Sequence, residues 1–151
     1  MTRTRIAAVA LVLVAVSFGA AGCGGDDSDS FKEDYNTAVK PLSELNEDIG
    51  GSIGGASDKS NQAIAKQFDK LADKAAETRS NLQALEPPED AKNAFDDLLA
   101  ALKDGTDDLR AVAEAARDSD PAAATKASED LTESGQEIQK AETALQKAVD
   151  G

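Results

Sequence analysis

Apolar residues recur along this chain at intervals that alternate between four and three, a spacing that puts them on one face of a helix. A first run reads Phe31, Tyr35, Ala38, Leu42, Leu45 and Ile49; a second reads Ile64, Phe68, Leu71, Ala75, Thr78, Leu82 and Leu85. A third carries Ala91, Phe95, Leu98, Leu102, Gly105, Leu109, Val112 and Ala116. The last has Ala124, Ser128, Leu131, Gly135, Ile138, then Ala141 or Glu142, Leu145 and Val149. Nothing alternates with period two, so an all-α chain is expected. A helix with a single apolar seam cannot bury it alone, and a repeat averaging 3.5 residues favours packing as a left-handed supercoil, a coiled-coil-like arrangement.

The breaks between runs set the topology. Residues 50–57 are glycine-rich and read as a connector, with Asp58 as the N-cap of the second helix. Glu86-Pro87-Pro88 ends that helix, since two prolines cannot continue it, and Glu89 and Asp90 suit the positive end of the next. Asp118-Ser119-Asp120-Pro121 makes the last turn, with Asp120 as cap and Pro121 in the first helical position. Pro41 and Gly105 lie inside runs whose phase continues on both sides. The third helix is therefore read as unbroken through Gly105, and the first as kinked or locally relaxed at Pro41. Short connections predict an antiparallel up-down-up-down four-helix bundle over residues 31–151. Its N-terminus, the Pro87-Pro88 turn and Gly151 would share one end.

Ahead of the bundle the grammar differs. Arg3 and Arg5 precede an apolar run over residues 6–18, too short for a spanning helix, which needs roughly 20 apolar residues. Residues 1–22 therefore read as a signal peptide. Ala20-Ala21-Gly22 leads directly to Cys23, the one cysteine in the chain. Small residues followed at once by cysteine resemble the lipobox of bacterial lipoproteins, which implies cleavage between Gly22 and Cys23 and a diacylglyceryl group on the Cys23 thiol. An ordinary signal peptidase could cut the same bond, but it would leave an unpaired exposed thiol in an oxidising compartment. Residues 23–30 then read as the lipidated cysteine and a flexible acidic tether.

Charge and residue types exclude several functions. With 29 acidic residues against 16 basic ones, the surface opposes phosphate backbones, so nucleic acid is not an expected partner. The chain has no histidine. That removes the commonest general base and metal ligand, so no enzyme activity and no cofactor are expected. Gly50-Gly51-Ser52-Ile53-Gly54 matches the spacing of a hydrolase nucleophile elbow, but a helix precedes it where the elbow needs a strand, and no histidine exists to activate the serine. Lys59-Ser60 imitates a phosphate loop in which Asp58 replaces the needed glycine.

The lipobox, the acidic tether and the middle turn Leu82-Gln83-Ala84-Leu85-Glu86-Pro87-Pro88 together resemble small alanine-rich bacterial lipoproteins. That resemblance implies a helical ectodomain on the cell envelope and brings no catalytic residues with it. Four further features remain as candidates. Asp97, Asp104 and Asp108 form an acidic stripe that could bridge a hard cation, although a straight stripe converges poorly on one ion. Lys66, Lys70 and Lys74 form a basic stripe. Thr78 and Glu142 are polar entries in the seams, and a slight rotation of the last helix would turn Ala141 inward and Glu142 to solvent. Gly105 and Gly135, opposite Leu45 and Leu71, mark either close approach of the third and fourth helices or a ligand-sized hollow. The expected function is a lipid-anchored envelope interaction or structural module, with the membrane and an unidentified protein as partners. The alternative is a carrier of a small apolar ligand in the bundle core.

Overall fold

The computed structural model describes residues 26–150 as an all-α protein of four long helices, with no strand among the described residues. They are α1 (Asp26–Gly54), α2 (Asn61–Gln83), α3 (Lys92–Asp118) and α4 (Pro121–Asp150). α3 packs against both α2 and α4, and α1 packs chiefly against α2. No helix among the described residues is long and apolar enough to cross a membrane.

The seams form the core. Phe31, Tyr35, Leu42, Leu45 and Ile49 of α1 are buried, as are Phe68, Leu71, Ala75, Thr78 and Leu82 of α2. The buried face of α3 includes Phe95, Leu98, Leu102, Leu109 and Val112, and that of α4 includes Leu131, Ile138, Leu145 and Val149. The buried stripe is wider than a strict heptad. Val39, Ala65, Ala72, Ala113, Ala115 and Ala127 are buried too, while Ala38, Ile64, Ala116, Ala124 and Ser128 are half-buried. Neighbouring alanines widen the face because a small side chain lets the partner helix cover adjacent positions.

The helix ends differ from the sequence reading in four places, one being the start of α3, where Glu89 and Asp90 lie in a 3₁₀ turn (Glu89–Ala91) ahead of Lys92. α1 starts at Asp26, so residues 26–30 belong to the helix and not to a tether. Asp29 is exposed close to that start, where a carboxylate favours the positive end of the helix. At its other end α1 continues through Gly50, Gly51 and Gly54, leaving a connector of residues 55–60. Ile49 and Ser52 hold this last stretch to the core, being 1% and 2% exposed. The cap of α2 is Ser60, whose Oγ accepts from the Ala63 amide at 3.3 Å. Asp58 instead closes a 3₁₀ turn whose amides bond back to Gly55 and Ala56, and this delays the start of α2.

As expected, α3 runs through Gly105 without interruption; α1 runs through Pro41 as one helix. The turn between α3 and α4 uses each residue twice. Ser119 adopts φ 56° and its amide bonds to Ala116 O at 3.2 Å, while the Asp120 amide reaches Ala115 O at 3.0 Å. This is the Schellman arrangement, here with serine where glycine is usual. Asp120 then caps α4, its Oδ1 accepting from the amides of Ala122 at 2.9 Å and Ala123 at 3.0 Å.

Side-chain pairs tie the helices in a consistent register. Lys32 at the start of α1 pairs with Asp150 at the end of α4 at 3.0 Å. Phe31 meets Phe95, near the start of α3, edge to face at 5.6 Å. Asn61 at the start of α2 donates to the Ser119 hydroxyl beyond the end of α3 at 2.9 Å, and Arg117 pairs with Asp69 at 2.8 Å. Along the middle, Arg79 donates to Leu99 O at 2.9 Å, and Lys74 reaches Glu44 and Asp48 at 3.2 and 3.4 Å.

Candidate functional site

Gly22 and Cys23, the expected cleavage and lipidation residues, lie outside the described residues, as does the whole signal peptide. The remaining candidates fall into three places.

The first is the glycine level. Gly105, Gly135, Leu45 and Leu71 are all buried. A β-carbon at Gly105 would stand 3.3 Å from Ile138 Cδ1 and 3.8 Å from Ser134 Cβ. The space beside Gly105 is thus occupied by the tip of an α4 side chain. It is neither a hollow nor a backbone-to-backbone approach, and the missing methyl is what lets Ile138 lie flat on α3. Nearby polar groups are satisfied locally: Thr106, 4% exposed, donates to Leu102 O at 2.7 Å.

The second place is the acidic flank of the same helix pair. Asp104, Asp107, Asp108, Asp130, Glu133 and Glu137 line an open recess of ≈ 340 Å³ between α3 and α4, while Asp97 is not part of it. Burial pushes the Asp108 carboxyl above its ordinary range, and the charges of Asp130, Asp104 and Asp107 add to this, while the hydrogen bond from Ser134 opposes it. Asp107 is pulled the other way by its hydrogen bond and ion pair with Lys103 at 2.7 Å, with burial opposing. Among the described residues no group of three or more acidic, histidine or cysteine side chains converges as a metal site would require. Of the basic stripe, Lys74 is ion-paired across to α1, whereas Lys66 and Lys70 are exposed.

The third place is the end of the molecule where α1 begins, and here the structure departs most from the sequence reading. Phe31, Tyr35 and Phe95 form an aromatic group, with ring centroids 5.9 Å apart for Phe31 and Tyr35 and 5.6 Å for Phe31 and Phe95. Glu142 of α4 adjoins Tyr35. The expected rotation of α4 does not happen: Ala141 is 9% exposed and Glu142 only 4%. Leu145 and Ile138 flank Glu142 on the same face, and turning it outward would expose both. Its Oε2 has no hydrogen-bond partner. Burial raises its pKa from 4.5 to about 7. Burial also raises the Tyr35 phenol, and the nearby Glu142 charge adds to that shift. Thr78, the other polar seam residue, donates to Lys74 O at 2.9 Å within its own helix. Outside this group, Phe31 and Asp34 face Leu85, Pro87, Pro88 and Lys92 across an open recess of ≈ 990 Å³.

The two motif mimics resolve into structure. Ser52 is buried within α1, donates to Asp48 O and accepts from Gln67, so its hydroxyl is held as a core polar contact. Lys59 donates to the Gln67 side-chain oxygen. No family model, no characterised protein and no solved structure matches this chain.

Proposed function

We propose that this protein is exported, anchored to a membrane of the bacterial envelope through lipid on Cys23, and acts there as a helical interaction or structural module. The observation that carries this reading is Cys23 itself: the one cysteine of the chain, directly after Ala20-Ala21-Gly22 and an apolar run led by Arg3 and Arg5. Two or more acyl chains, each contributing about 0.8 kcal/mol per buried methylene, hold a protein stably without help from its folded part. The folded part accordingly needs no membrane-binding face, and its acidic surface fits that division of labour.

The helices are arranged up-down-up-down. Support comes from the pairs Lys32–Asp150, Phe31–Phe95, Asn61–Ser119 and Arg117–Asp69, which join starts to ends or starts to starts as that topology requires. The end bearing Phe31, Pro87 and Asp150 is then nearest the lipid, and the connector at residues 55–60 points away. The test is metabolic labelling with a fatty-acid analogue. Wild type should take up label and sediment with membranes, whereas Cys23→Ser should take up none and be released or remain as uncleaved precursor. Processing after Gly22 without any label would overturn the reading.

A further inference from the structure

We propose that Glu142 is a proton-binding site, protonated when α1 is docked and ionised at the expense of that docking, so that the packing of α1 responds to the pH of its compartment. The geometry supports this in three ways. Glu142 is 4% exposed in the middle of an apolar seam, and its Oε2 has no partner. A carboxylate without a partner is far more costly to bury than a carboxylic acid. On the α1 side the group facing it is the Tyr35 hydroxyl, which can donate to either form but supplies no positive charge.

Three cations of the neighbouring helices are engaged elsewhere, and Lys40, Lys66 and Lys70 are exposed. Lys32 of α1 is held by Asp150 at 3.0 Å, Lys74 of α2 by Glu44 and Asp48, and Arg79 of α2 by Leu99 O. The buried face of α3 brings apolar Phe95, Leu98 and Leu99. Burial is accordingly the one cause of the raised Glu142 pKa. α1 is the element free to respond, because it packs chiefly on α2, while α4 is held firmly by α3.

Asp108 is the other carboxyl held above its ordinary range, and labelling at glutamate leaves it out of the reading. With no histidine present, ordinary carboxylates, lysines and the phenol do not titrate between about pH 5.5 and pH 8.5. The chain also has one tyrosine and no tryptophan, so Tyr35 is its intrinsic fluorophore and sits beside the titrating group. An ionised carboxylate quenches phenol emission.

The experiment uses the full chain in detergent. Tyr35 emission should change with a midpoint near neutrality, and Tm should fall by about 10 °C as pH rises from the ordinary carboxylate range to neutrality. Glu142→Gln, which keeps the shape and removes the proton, should leave both flat. Wild-type protein labelled with ¹³C at the glutamate carboxyls provides a reading that needs no variant to fold: one resonance should titrate near neutrality, apart from the others. Glutamate resonances that all titrate in the ordinary carboxylate range would overturn the proposal. So would an emission change and a Tm shift that persist in Glu142→Gln.

Discussion

The glycine level and the aromatic end of the bundle solve the same packing problem with opposite means. Near Gly105 the helices meet through small residues, and the polar groups there, Thr106 and Ser134, find acceptors at once. Near Tyr35 the core is filled by three aromatic rings, and one carboxyl oxygen is left without a partner. Thr106 bonds within its own helix and Ser134 reaches a carboxylate on the facing one, whereas Glu142 Oε2 is buried beside Tyr35 without a hydrogen-bond partner. Stability at the glycine level therefore depends chiefly on shape, whereas at the aromatic end it depends on shape and proton occupancy together.

The sharpest way to break this comparison is to empty the aromatic end. Phe95 is 3% exposed, and Phe95→Ala should cost about 3–5 kcal/mol in urea unfolding at mildly acidic pH. A loss below about 1 kcal/mol would mean that the rings do not fill that end. Proton occupancy comes next in size. Because folding raises the Glu142 pKa to about 7, its contribution is complete below the ordinary carboxylate range and is lost as pH rises through neutrality. The loss amounts to about 3 kcal/mol, read from unfolding curves at a series of pH values.

The glycine level should answer with smaller effects. Gly105→Ala gains about 1 kcal/mol of helix propensity but presses on Ile138 Cδ1, so the single change should move stability by less than about 1 kcal/mol. Ile138→Val removes that atom. In its background Gly105→Ala should be clearly stabilising, and the double-mutant cycle should show coupling of about 0.5–1 kcal/mol. Smallest of all is the exposed pair between Arg117 and Asp69, where Arg117→Ala should cost under about 1 kcal/mol and less in high salt.

How much of this was legible in the sequence differs between the same two regions. Spacing identified every helix, carried α3 through Gly105, and placed Asp120 and Pro121 at the start of α4. These are local signals, decided by phase and by which residues can cap. Glu142 was visible only as a polar residue next to an equally acceptable alanine. Choosing between them requires knowing how far the partner helix covers the face, which depends on side chains distant in sequence. The connector was misread for a related reason. Glycine lowers helix propensity, but Ile49 and Ser52 add tertiary contacts that outweigh it, and only the fold shows that Gln67 waits opposite Ser52. Ile138 over Gly105 belongs to the same class: the phase located the glycine, but not the side chain that fills the space.

The glycines at the end of α1 have a mechanical consequence. A side chain at Gly50, Gly51 or Gly54 would meet nothing within 4 Å, so no packing demands glycine there. Each forgoes about 1 kcal/mol of helix stability relative to alanine. The last turn of α1 is coiled slack, fastened at Ser52 and Ile53. Uncoiling it would lengthen the connector from residues 55–60 to residues 50–60. A chain with alanines in their place would keep the same fold and lose that freedom.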